Sequence, residues 1–557
     1  MVPSHVVLMI LVACAITAPA IVYGIFGAHD LVAYHLRWSK HFGEQLWHGD
    51  LYPRWLIDMN GGFGSPTFFT YGPAAYYATA LLWPLFKTDP LGWYQVGASA
   101  AAAVVLSGLT FNLWARDIVS ARAALIGALI YMTLPYHVAV DLYTRFAFGE
   151  LWAFVWIPLI LFFARRMIRA ERMPLVGFAL SLAMLLMTHI IAFVMFAPVA
   201  VSYGPFVAGG TERVRTFART IGGIVLAVGL GAIYWIPAIG TQSYVTLGAP
   251  APDAYVYANN FLFWHAPISH SVMFWHALEV VTTLSVGLAG CAFFASSTAN
   301  AGALGRERRY LMGVVLLSAF MTCPLSKPVW ALLPPLQRME FPWRFNVLVV
   351  VATGGLTAIA MDSVRNISSL LENATLKVGV MMLTGLFLAA CLIVGTQLQR
   401  ISDADVRDLE VSVDGPAFKP NATPLELFNP DGIRALKQRI NRVRVDSGQG
   451  RAAVLGWAPR SIALETNART DLVLTLGQFY YPGWTARLGK EGGSLAVRPS
   501  VSDGLVQIEV PSGDHQVVVT LEPGSAERGG QLGSVVAAVV LLSLMVWFRR
   551  LDRAPGA

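Results

Sequence analysis

Charge is what this sequence has little of. Only 13% of its 557 residues are Asp, Glu, Lys or Arg, while 55% are hydrophobic. A water-soluble chain of this length cannot cover its surface with so few charges, which excludes a soluble globular protein. Cysteine is scarce as well. The four residues, Cys14, Cys291, Cys323 and Cys391, lie within or at the edge of apolar runs, and none forms a Cys-x-x-Cys pair. A disulfide framework and a thiolate zinc site are thereby excluded. A basic leader and an A-x-A cleavage signal are lacking around the first apolar run, so 6–26 is expected to be a retained span. The net charge of +7 does not indicate a nucleic-acid partner, because the basic residues sit in short clusters between apolar runs.

What is there is hydrocarbon-soluble sequence, repeated. Apolar segments run over 6–26, 93–115, 121–136, 150–164, 173–188, 190–208, 220–239, 276–296, 310–324, 342–361, 376–396 and 531–548. Most approach the roughly 20 residues that cross a bilayer core as a helix. Basic clusters fall at Arg116/Arg122, Arg165/Arg166/Arg169/Arg172, Arg213/Arg215/Arg219, Arg306/Arg308/Arg309, Arg365/Lys377 and Arg549/Arg550/Arg553. If 67–86 does not span, all six share one face, which is then cytoplasmic. Gly72, Pro73, Pro84 and a run of tyrosines also suit 67–86 to an interfacial helix rather than a lipid-facing one. The expectation is a polytopic α-helical membrane protein of about 12 spans in a bacterial inner membrane, with both termini cytoplasmic. Residues 1–396 form the membrane module, with 29–92 as its first outer loop. The shortest connection is Thr188-His189, a turn that must be buried in protein or line a cavity.

From 397 to 530 the composition becomes that of a soluble domain. Residues 423–444 suggest a turn and an amphipathic helix starting near Pro430. SIALET, TDLVLTLGQFYY, WTARLG, SLAVRP, LVQIEV and HQVVVTLE follow, separated by turn residues, as in a small antiparallel β-sandwich. Span parity places this mainly-β domain outside the membrane, and 531–557 returns the chain as a final helix and tail.

The chemistry concentrates in His29–Tyr77, a polar stretch directly after the first span. Asp30 stands at the level where headgroups meet water, where a carboxylate can deprotonate or position an acceptor hydroxyl; the bland reading is a solvated helix-end acid. His29, His35, His41 and His48 recur every six or seven residues, and 31–47 suits an amphipathic helix. They show no His-x-His, His-x-x-x-His or His-Glu-x-x-His spacing, so no metal site is assigned, and a divalent metal is left open as a cofactor. In Gly49–Trp55 (GDLYPRW), Arg54 between Tyr52 and Trp55 suits a phosphate, while the same rings suit an interfacial anchor. The glycines of Asn60–Pro66 lack the Lys-Ser/Thr of a nucleotide loop and read as a tight turn. On the same face, Asp141, Arg145 and Glu150 fit either an ion pair at a helix start or a substrate pathway. His189 and the Glu340–Arg344 run carry the same two readings.

These stretches resemble C-type (GT-C) glycosyltransferase-like membrane proteins. The GD-x-YPRW-x-x-x-x-x-GG-x-G-x-P loop, here Gly49–Pro66, and FPWRF, here Phe341–Phe345, are similar to a group labelled 6-pyruvoyl-tetrahydropterin synthase-related. YYPGWTARLG, Tyr480–Gly489, is similar to the β-domain of YfhO-like proteins. The resemblance implies a GT-C fold that transfers a sugar from a polyprenyl-phosphate carrier to an envelope glycan or lipid on the outer face. It also implies a catalytic role for the acid after the first span, Asp30. His29, Tyr52, Arg54, Arg145, Glu150, His189, Glu340 and Arg344 are the expected substrate-binding residues. Membrane lipid is an expected partner and nucleic acid is not. The pterin label implies no function here, since the histidine zinc site of that synthase has no counterpart. A transporter or lipid-handling scaffold is the rival reading. It would place ionisable groups near mid-membrane and carry an internal repeat, and no such repeat is seen.

Overall fold

The computed structural model describes residues 3–169, 171–248, 253–265, 271–297, 302–364, 373–489 and 492–553; Arg365 of the fifth basic cluster lies outside them. All twelve apolar runs are helical, but they do not all cross alike. Nine helices, from Ser4–Tyr23 to the long last helix Ser525–Arg553, are long and apolar enough to span. Two further runs are bent pairs: Glu212–Leu230 with Ala232–Gly240 turn by 64°, and Gly302–Thr322 with Pro324–Leu332 by 88°. Pro324 lacks the N–H that would continue the helix, which accounts for the second break. The 173–188 run is the 15-residue helix Pro174–Thr188. At 1.5 Å per residue it reaches about 22 Å, short of a bilayer core of about 30 Å. Among the described residues, length and composition thus give nine candidate spans, or eleven if each bent pair is one span, with Pro174–Thr188 as a further, shorter apolar helix. The Ala374–Gln397 and Ser525–Arg553 helices leave Met381, Phe387, Leu392 and Leu542 exposed, as a lipid-facing surface requires.

Residues 67–86 are not one helix. They break into Thr67–Thr70, Ala74–Ala80 and Trp83–Phe86, with Gly72-Pro73 and Pro84 at or beside the breaks. Ahead of them, one π-helical turn, Leu31–His35, runs into the amphipathic helix Leu36–Trp47. That helix buries Trp38, His41, Phe42 and Gln45 and keeps Trp47 half outside.

The C-terminal unit is a two-sheet sandwich with every pairing antiparallel. Val443–Ser447, Leu472–Phe479, Leu505–Val510 and Val497–Pro499 form one sheet in that order. The other orders Gly450–Ala458, Ser461–Ala468, Gly513–Leu521, Trp484–Leu488 and Ser494–Leu495. Leu474, Leu476 and Ile508 from the first sheet share a core with Leu464, Val517 and Val519 from the second. The helix Pro430–Arg439 starts where Gly432 N–H donates to the Asn429 side chain and adds Ile433 and Leu436 to that core.

Trp55, Ile57, Phe63 and Phe69, all from the loop after the first span, lie in this same core. Trp55 Nε1 donates to Gln478 (2.7 Å), Gln478 Nε2 to Gly62 O (2.7 Å), and Phe479 N–H to Phe63 O (2.7 Å). Gly64 holds φ +82°, and a Cβ there would meet the Trp55 ring at 2.5 Å, so the loop requires glycine at that position. The GG-x-G run is thus a docking turn for the β-sandwich. The N–H groups of Gly62 and Gly64 are engaged by Met59 O.

A buried carboxylate fastens this arrangement. Asp414, 4% exposed, accepts hydrogen bonds from Trp38 Nε1 (2.9 Å), Thr67 Oγ1 (2.6 Å), Gly415 N–H (2.8 Å) and Ser65 Oγ. Its own N–H donates to Asn60 Oδ1 (2.7 Å). Removing this acceptor strands buried donors at about 1–3 kcal/mol each, less what Ser65 and Thr67 recover from one another. Asp414→Ala is expected to lower the thermal midpoint of the detergent-solubilised protein by several degrees and to speed proteolysis around 397–412. Asp408→Ala, which loses only an exposed pair with Arg434, is the control and should melt like the parent.

Candidate functional site

The first helix is capped at Gly24, and six residues later Asp30 is tied down by its own backbone, whose N–H donates to Arg145 O (3.1 Å). The carboxylate is 29% exposed and pairs with the exposed His29 ring (Nδ1–Oδ1 2.9 Å). Burial alone would raise the Asp30 carboxyl; the hydrogen bond from His29, then the charges of Arg145 and of His35 when protonated, hold it below the ordinary carboxylate value. The bond to Asp30 raises His29 against the opposing effect of burial. His35, one turn on, is fully enclosed, which pulls it down to about 4. It is a neutral imidazole, with Nδ1 2.6 Å from the Tyr76 hydroxyl. Tyr34 and Tyr71 are also raised by burial, with Asp30 adding to the effect, so both stay protonated.

Against Asp30 stands an ionic cluster drawn from two separate stretches of chain, 136–150 and 339–344. Arg145 Nη1 bridges Asp141 (3.1 Å) and Glu150 (3.2 Å), and its guanidinium lies 4.7 Å from the Trp343 ring centroid. Tyr136 OH donates to the other oxygen of Glu150 (2.8 Å). Arg344 lies 4.0 Å from Glu150 and donates from Nη1 to Met339 O (3.2 Å); its Nε is buried without a hydrogen-bond partner. Glu340 is half-buried, and burial raises its carboxyl although Arg344 and Arg145 oppose this. Two bulky residues beside these arginines hold left-handed backbone, Phe146 at φ +56° and Glu340 at φ +64°. Such conformations cost about 1–3 kcal/mol each and persist only where packing imposes them. Here they lie where the chain turns to bring Arg145 and Arg344 onto a common acid.

The expected residues therefore divide. His29, Asp30, Arg145, Glu150, Glu340 and Arg344 share one neighbourhood. His189 borders it: Gly149 packs so closely that a Cβ there would lie 3.2 Å from the His189 ring. His189 also caps the Ile190–Ala208 helix, its Nδ1 accepting from Ala192 N–H (3.1 Å), which sets its proton on Nε2. Tyr52 and Arg54 do not join the group. Arg54, 2% exposed, stacks on Tyr52 at 3.8 Å, donates to Ile233 O (2.7 Å) and pairs with Glu527 (3.3 Å), at the start of the last helix. Glu527 also receives Arg460. Arg54 is matched by a carboxylate from far along the chain that no local pattern announces. Trp343, Tyr136 and Tyr71 are the additions the sequence reading lacks; only the FPWRF run signalled the first. Among the described residues, the set able to converge on a metal ion lies further along the Leu36–Trp47 helix: His41, Glu44 and Asp58.

No protein-family model and no curated protein matches the chain. Among solved structures it is similar to ArnT from Cupriavidus metallidurans bound to undecaprenyl phosphate, at 14% identity and a TM-score of 0.47, over 72% of this chain and 78% of that one. It is also similar to the arabinofuranosyltransferase AftD from mycobacteria, at 13% identity and a TM-score of 0.46, over 93% of this chain; the chain spans 40% of AftD's length.

The Asp30 environment fixes a pH dependence. A carboxyl held below its ordinary value is ionised throughout pH 5–8, so any function needing the carboxylate loses nothing to Asp30 protonation in that window. Removing the His29 bond in His29→Ala takes away the largest opposing effect and leaves burial to raise the group. The acid limb of a pH–rate profile is expected to move upward in that variant.

Proposed function

We propose that this protein is a membrane glycosyltransferase of the C type. It takes a sugar from a polyprenyl-phosphate carrier and transfers it to an envelope glycan or lipid on the outer face of a bacterial inner membrane. The observation that carries the reading is a part-exposed, ionised Asp30 that faces the Arg145–Glu150 cluster, in which the buried Nε of Arg344 stands 4.0 Å from Glu150 and makes no hydrogen bond. The Gly49–Pro66 and Phe341–Phe345 resemblances support it independently.

In the proposed reaction, the Asp30 carboxylate accepts the acceptor's hydroxyl proton as that oxygen attacks the anomeric carbon. The bond from the anomeric carbon to the carrier phosphate breaks, and its electron pair leaves with the phosphate. Arg344 meets the charge that develops there. Arg145 already faces two carboxylates and acts as a positioning residue, holding Glu150 and the backbone that binds Asp30. The excess of acids over arginines is the feature that also suits the rival transporter, since ionisable groups facing a cavity mark translocation paths.

Asp30→Asn keeps the shape and removes the base. It is expected to abolish sugar transfer from a polyprenyl-phospho-sugar while expression and the melting profile persist. Arg344→Gln is expected to cost at least tenfold in rate. The measurement is transfer of radiolabelled sugar in membranes, with extracted glycolipids and envelope glycans compared between strains with and without the protein. Full activity in Asp30→Asn removes that residue from the mechanism. Unchanged glycans together with altered solute uptake favour the transporter.

A further inference from the structure

We infer that His41, Glu44 and Asp58 form a binding site for a divalent transition-metal ion of the zinc class, separate from the Asp30 cluster. One ring nitrogen of His41 and one carboxylate oxygen each from Glu44 and Asp58 lie within 4.8 Å of one another. His41 and Glu44 are three residues apart on the Leu36–Trp47 helix, which puts both on one face. Asp58 comes from the turn just before the docking loop.

The histidine points to a ligand independently of the acids. His41 is 9% exposed, and its Nε2 lies 3.1 Å from Ser412 Oγ, whose own proton goes to Leu409 O. Ser412 Oγ can then only accept from His41, so the imidazole proton sits on Nε2. That leaves the Nδ1 lone pair, which is buried and has no hydrogen-bond partner. Metal-bound histidines share this arrangement: the far nitrogen donates to a fixed oxygen and the near one is bare.

The acids complete the set. Among the described residues, neither the Glu44 nor the Asp58 carboxylate makes a hydrogen bond or an ion pair. Arg442 and then Lys40 are the cations that face Asp58; neither forms an ion pair with it, and Lys40 is turned to Pro90 O (2.7 Å). One imidazole and two carboxylates suit zinc, which binds such donors at about 2.0–2.2 Å and can keep water in a fourth position. Ligand atoms on one tetrahedral ion lie about 3.4 Å apart, so the set must close by up to about 1.4 Å. Glu44 is half-exposed and Asp58 exposed on a turn, and both have room to do so. The bound ion would clamp the helix to the turn that carries the β-sandwich's docking loop. Its role is thus structural, and it stands whether or not the protein transfers sugars.

The test uses full-length protein purified in detergent without a polyhistidine tag and stripped with a chelator. Zn2+ is titrated against a chromophoric competitor, Mn2+ and Ca2+ are run alongside, and the thermal midpoint is followed. The parent is expected to bind one equivalent, Zn2+ most tightly, with a rise in midpoint that follows saturation. Glu44→Gln and Asp58→Asn, at positions that are not buried, should fold, bind at least tenfold more weakly and lose the metal-dependent rise. No bound equivalent, unchanged binding in both variants, or tighter binding of Ca2+ than Zn2+ would overturn the assignment.

Discussion

A carboxylate can be buried only if donors surround it, and the loop and the β-sandwich meet around one such group. Asp414 draws Trp38 from the helix after the first span and Ser65 and Thr67 from the docking loop, while its backbone holds Asn60. Each donor would be stranded if the pieces separated. The loop therefore cannot fold as an independent surface feature. Its aromatic residues Trp55, Phe63 and Phe69 are core residues of a domain whose strands begin almost four hundred residues later.

Low dielectric imposes the same pairing discipline elsewhere. Near Asp30, Arg145 answers Asp141 and Glu150, and Tyr136 fills the remaining oxygen of Glu150. In a second, separate cluster, Glu307 is fully buried between Arg165 and Tyr203, and Trp114 donates to the Tyr203 hydroxyl (2.9 Å). Arg54 is neutralised by Glu527. Against this background Arg344 is the loosely paired one: its Nε faces Glu150 at 4.0 Å and makes no hydrogen bond. Asp30 differs in another way: it keeps 29% of its side-chain surface open while most ionised groups around it are closed off.

Local pattern read some of this well. The apolar runs located the helices that are candidates to span, and the alternating segments after Pro430 became strands of the sandwich, whereas 67–86, expected as an interfacial helix, is broken into three short ones. Length and apolarity in sequence do not disclose the bends, 64° after Leu230 and 88° after Thr322. Arg54 shows the limit for sites. Its local company of Tyr52 and Trp55 suits an anion, yet Glu527 reaches it from the last helix and Trp55 turns to Gln478.

The sequence by itself determined that this is a multi-pass membrane chain with a β-domain near its end, because hydrophobicity and its period are properties of neighbouring residues. It also determined which stretch is dense in titratable groups. Only the tertiary structure decided which of those groups lie together. Burial and charge pairing depend on side chains hundreds of positions apart, such as Trp38 with Asp414, Arg54 with Glu527 and Glu150 with Arg344. The same His29–Tyr77 stretch accordingly divides into a half-open acid at one end, a neutral histidine facing two free carboxylates in its middle, and a docking turn beyond.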